Sequence, residues 1–173
     1  MRTAGTDPPA VLFCEQWYIF RDTSLTDHPN PMPTSFSDIE LSFEFVSSQG
    51  VGINEAFLCR RTGKIYWRSD SLDVEDLNDE LLDDIEHEEK YIAIPNKREL
   101  DLGKPLVLDF AREFLPNDFD EVRYMFSKSG AYKKFRALVT RRNVLDRWYE
   151  FESKATERAL REWCELNSIE LAD

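Results

Sequence analysis

Past residue 32 the apolar positions of this chain fall into two rhythms. Phe36, Ile39, Phe43 and Val46 recur three and four apart, the spacing of one helix face. Ser37, with Glu40 three residues later, predicts a capping box at the start of that helix, in which each side chain bonds an otherwise orphan N–H. The run from Ser47 to Gly52 ends it, and Gly50-Val51-Gly52 reads as a turn because a strand follows rather than a helix. Ile53 to Arg60 and Lys64 to Ser69 read as two strands around the turn Thr62-Gly63, with Phe57, Leu58, Ile65, Tyr66 and Trp67 as their apolar substance. Val74, Leu77, Leu81 and Ile85 return to helical steps and predict an amphipathic helix over 72–89. Tyr91-Ile92-Ala93-Ile94 is a third strand, stopped by Pro95.

From Pro105, which suits a first helical turn, the pattern is helical to the end. Leu106, Phe110 and Phe114 line one face until Pro116 breaks it. Asn117 or Asp118 caps a short helix through Phe126, closed near Gly130. A further helix begins near Ala131, with Tyr132, Phe135 and Val139 on one side, and the last runs from about Val144 to Leu166. The expected fold is α+β: an N-terminal helix with a small three-stranded antiparallel sheet, then a helical C-terminal half over 105–167. One domain spans 32–173. The first 31 residues, rich in Pro, Thr and Asp and ending in Asp27-His28-Pro29-Asn30-Pro31, read as a poorly ordered extension.

Composition changes this picture little, but the placement of charge changes it a great deal. The chain has 173 residues, of which 42% are hydrophobic, enough for a core, and a formal net charge of -12. Eleven Asp and Glu and no Lys or Arg lie between Asp70 and Glu89, whereas eight Lys and Arg against one acid lie between Arg123 and Arg147. Blocks of one sign repel each other into solvent or meet a partner of opposite sign. Three scattered cysteines, Cys14, Cys59 and Cys164, make neither a disulfide framework nor a Cys-x-x-Cys metal site and fit a reducing cytoplasm. Val11 to Phe20, interrupted by Glu15 and Gln16, is far short of the roughly 20 apolar residues of a membrane span. Nothing frames it as a signal peptide.

Residues 91–171 resemble the bacterial uncharacterised protein family numbered 0158. The resemblance is carried by Tyr91-Ile92-Ala93-Ile94-Pro95, Glu99-Leu100-Asp101, Phe114-Leu115-Pro116, Gly130-Ala131-Tyr132 with Phe135, Trp148-Tyr149 with Phe151, and Trp163-Cys164. The opening from about Met32 is similar through less specific motifs. The resemblance implies an intact domain and brings no reaction, cofactor or catalytic residue.

Candidate chemistry is sparse. His28 and His87 are the two histidines, and Asp83 with His87 has the i,i+4 spacing of a metal pair, although acid-rich helix ends hold such pairs by chance. No Ser or Cys sits in a nucleophile elbow, so no catalytic, metal or cofactor residue is assigned. Two charges fall on apolar stripes. Glu152 lies among Val144, Trp148, Phe151, Ala155, Ala159 and Trp163, and Arg136 lies between Tyr132, Phe135 and Val139. Antiparallel packing would pair them as a structural ion pair, since an unpaired charge in such a seam costs several kcal/mol. Lys128, Lys133, Lys134, Arg141 and Arg142 avoid the apolar face and form the candidate binding surface.

The expected function is a small cytoplasmic binding or regulatory module acting through segregated acidic and basic surfaces, with a protein as partner and no membrane. Two alternatives stand beside it. One is an accessory RNA- or DNA-binding protein using the 128–142 face. The other is an enzyme with a carboxylate site at Glu152 or at Glu99 and Asp101, for which turn or capping roles are the plainer reading. The basic helix also has a bland role open to it, facing the acidic block within the molecule or in a dimer.

Overall fold

In the computed structural model, residues 32–48, 53–70 and 90–172 are described. The expected extension over 1–31, the Gly50 to Gly52 turn, the acidic helix over 72–89 and both histidines lie outside them.

The architecture is α+β, with an N-terminal helix and a three-stranded antiparallel sheet followed by a helical half of four helices. The strand β1 (Thr34–Ser35) leads into α1 (Phe36–Ser47). Strands β2 (Asn54–Cys59), β3 (Ile65–Ser69) and β4 (Tyr91–Ala93) then form a sheet in the order β3-β2-β4. Phe57 sits opposite both Tyr66 and Ala93 in its register. The helical half comprises α2 (Lys104–Phe114), a 3-10 turn (Pro116–Asp118), α3 (Phe119–Met125), α4 (Ala131–Arg141) and α5 (Leu145–Leu166). The chain closes with β5 (Leu171–Ala172), which pairs in parallel with β1.

That parallel pair corrects the expected start of the first helix. Thr34 donates its N–H to Glu170 O at 2.9 Å, so the chain is already fixed at Ser35 and turns helical at Phe36. Ser37 falls inside the first turn, its hydroxyl 2.7 Å from that of Ser35, and no side chain caps the helix. The hairpin turn brings Gly63 against the incoming chain. Its φ of +67° is left-handed, and a Cβ there would lie 2.8 Å from Met32 O. Glycine is required on both counts.

Alternation along β2 sends Ala56 and Leu58 to one face of the sheet and Phe57 and Cys59 to the other. The first face joins Ile39 and Phe43 of α1 in a core that continues without a break into the helical half. There Phe110 is the hub, its ring centroid 5.2 Å from Trp148, 5.4 Å from Phe151 and 4.8 Å from Phe114. Such edge and tilted ring contacts each add about 0.5–1.5 kcal/mol beyond burial. Behind the sheet, Cys59, Tyr66 and Tyr91 make a smaller cluster.

Candidate functional site

The interior face of α4 is set by Ala131, Phe135, Leu138 and Val139, all buried. At 3.6 residues per turn, that stripe leaves the cations pointing outward. Lys133 and Arg136, three apart, share one exposed row, and Lys134 and Arg141, seven apart, share a second. Lys128 is exposed just beyond α3, its Nζ 5.6 Å from the Tyr124 ring centroid. Two of the five expected binding residues, Arg141 and Arg142, are paired with carboxylates. Arg142 bonds Asp118 through both Nε (2.9 Å) and Nη2 (2.5 Å), and Arg141 lies 3.9 Å from Glu121. The Asp118 carboxylate raises the Arg142 guanidinium above its ordinary value, chiefly by hydrogen bonding. Asp118, 8% exposed, is thus held by an arginine 24 residues away instead of capping α3.

The expected Arg136–Glu152 pair is replaced by another. Glu152 Oε1 accepts from Lys97 Nζ at 3.1 Å, while Arg136 is exposed. The buried stripe on α4 runs through Ala131 and Leu138 rather than Tyr132, which turns Arg136 away from α5.

Lys97 belongs to a turn that the sequence reading passed over. Asn96 Oδ1 accepts the N–H of Arg98 (2.9 Å) and of Glu99 (3.3 Å), and Glu99 Oε2 accepts the N–H of Asn96 (2.8 Å). This reciprocal box, the signature Asn-x-x-Glu, was the legible sign of a rigid turn. It gives Glu99 a local structural role, and Asp101 ends the turn at a left-handed φ of 55°. Lys97 N–H donates to Ser47 Oγ at 3.0 Å, tying the turn to the end of α1.

The turn, the end of α1, Tyr132 of α4 and Glu152 of α5 enclose a cleft of about 580 Å³ between α1 and the helical half. Ser47, Asn96, Lys97, Arg98, Tyr132 and Glu152 supply its polar wall. Burial raises the Tyr132 phenol above its ordinary value, and Lys97, Glu152 and Arg98 also act on it, so these four groups form one electrostatic cluster. On the far side of the Lys97–Glu152 pair lies a second cavity of about 250 Å³, walled by Glu40, Glu44, Tyr149 and Thr156. Burial pushes the Glu40 carboxyl up, and Glu157 and Glu44 push it further against the opposing pull of Arg161.

Among the described residues no group of three His, Cys, Asp or Glu side chains is placed to hold a metal ion. Asp83 with His87 and His28 lie outside them. Cys59 and Cys164 are free and buried, and burial raises the Cys164 thiol to about 11. No helix of the described residues is long and apolar enough to cross a membrane.

Comparison with protein-family models, with curated proteins and with solved structures finds no match.

Proposed function

We propose that this chain is a small cytoplasmic binding or regulatory module whose basic α3–α4 face meets an acidic protein partner. The observation that supports this most is the geometry of α4, where Ala131, Phe135, Leu138 and Val139 anchor the helix and leave Lys133, Lys134 and Arg136 exposed. With Lys128 they make a surface of fixed spacing, well suited to steer an acidic segment into place. Arg141 and Arg142 border it, partly committed to Glu121 and Asp118. Affinity capture from cell extract, in nuclease-treated and untreated arms, tests the reading. An acidic protein is retained in both arms and released by Lys133→Glu/Arg136→Glu. Retention by that charge-reversed variant contradicts the assignment.

Single-stranded nucleic acid is the second reading, and an exposed aromatic favours it. Tyr124 is 67% exposed beside Lys128, and base stacking on such a ring contributes about 1–3 kcal/mol per base. In that case the ligand disappears from the nuclease-treated arm, affinity for a labelled oligonucleotide falls steeply with salt, and Tyr124→Ala weakens it.

A further inference from the structure

The cleft between the two halves is separate from the surface of α4 that carries Lys133 and Arg136, and its polar groups are mostly of one kind. Lys97 Nζ has three N–H donors and spends one on Glu152 Oε1. Arg98, exposed on the next residue, brings five more. Ser47 Oγ already accepts from the Lys97 backbone, which leaves its proton to donate. Asn96 Oδ1 is occupied by two backbone N–H groups, so the remaining capacity of that amide is its Nδ2 donors. The Tyr132 hydroxyl is a further donor, and a Cβ at Gly103 would come within 3.3 Å of it. Against these stands one carboxylate, Glu152, already paired. A wall rich in donors, with two cations against one anion, is complementary to a group that offers only acceptor oxygens and negative charge.

We infer that the cleft is a binding site for a small organic phosphomonoester, with Lys97 and Arg98 holding the phosphate oxygens and the Ser47 and Tyr132 hydroxyls completing the shell. The volume supports an organic body beyond the headgroup. About 580 Å³ lies within the range of small-molecule sites and is far more than a bare oxyanion needs. The position supports rigidity. The turn carrying both cations is closed by the Asn96–Glu99 box and tied to α1, so the backbone that bears them is already ordered before binding. Glu152 orients the Lys97 ammonium and at the same time competes with the ligand for it.

The test is a titration of the full chain with glucose 6-phosphate, read by amide chemical shifts, with glucose and succinate as comparison probes. Saturable shifts centred on residues 96–103 and on Tyr132 are expected with the phosphate ester and absent with glucose. Arg98→Gln and Lys97→Gln each weaken binding on the order of tenfold, the loss of one charge-assisted contact. Lys133→Gln leaves it unchanged. Glu152→Gln tightens binding by a few fold, a gain that a merely structural carboxylate would not show. Arg98 is exposed, so its variant folds whatever its effect on binding, and shift dispersion verifies that for each protein. Shifts that fail to saturate, that centre on Lys133 and Lys134, that survive Arg98→Gln, or that succinate reproduces at the same affinity would overturn the assignment.

Discussion

Glu40 shows how a single residue changes its meaning between sequence and structure. By spacing it was half of a capping box; in the fold it sits partly buried near Glu44 of its own helix and Glu157 and Arg161 of α5. Burial first, then the two like charges, raise its pKa above an ordinary value near 4.5. A raised carboxyl binds protons more tightly in the folded state than in the unfolded chain, so stability falls as pH rises through the window between the two values. Above that window the charged carboxylate opposes folding in full. Below it, where both states are protonated, the penalty is gone. Glu40→Gln therefore raises the melting temperature at neutral pH, and its advantage shrinks as pH falls below the raised pKa and vanishes below the ordinary value near 4.5. Melting curves of the two proteins across pH 3–8 check this, and a variant no more stable than the parent at pH 7 would contradict it. Glu152 carries the converse lesson. A carboxylate among aromatic residues announced that it needed a partner, but nothing local could say that the partner comes from a turn 55 residues earlier.

At the scale of elements, local punctuation made the helical half legible almost to the residue. Pro105, Pro116 and Gly130 act within one turn of themselves, and the helix ends fall beside them. The pairing of β1 with β5 was illegible, because strands of two residues carry no periodicity and their register is set across the whole chain. The rotation of α4 about its axis lay between these extremes. Tyr132, Phe135 and Val139 satisfy helical spacing, yet so do Ala131, Phe135, Leu138 and Val139, and the second set is the buried one. The two settings differ in what Leu138 and Arg136 should cost. Leu138→Ala opens a cavity in the core and destabilises the fold by about 2–5 kcal/mol. Arg136→Ala, on the outer row, changes stability by no more than about 0.5 kcal/mol. Denaturant midpoints of the two variants decide the matter, and a large loss at Arg136 would restore the rotation first read from the sequence.

For the molecule as a whole, the question is whether the sheet and the helical half are two folding units or one. The names of the elements suggest two, and the core argues for one. Buried residues run without interruption from Ile39 and Leu58 through Val107 and Phe110 to Leu138 and Leu160. Arg60, at the end of β2, donates through Nη1 to Asn167 O at 2.9 Å, 107 residues on, and Lys97 joins the turn after β4 to α5. Ile39 and Phe43 of α1, which share that core with Val107, Phe110 and Leu160, would lose part of their cover if the helical half melted first. Each half also holds its own tryptophan reporter, Trp67 stacked on Phe45 and Trp148 packed against Phe110 and Phe135. Variants with Phe at the other tryptophan positions therefore report the two halves separately. The midpoints seen by Trp67 and by Trp148 coincide in urea, and Phe135→Ala, which removes a side chain in the helical half alone, moves both together by the equivalent of about 3–5 kcal/mol. Were Trp67 to keep its native signal after Trp148 had lost its own, the continuous core would not be acting as one cooperative unit.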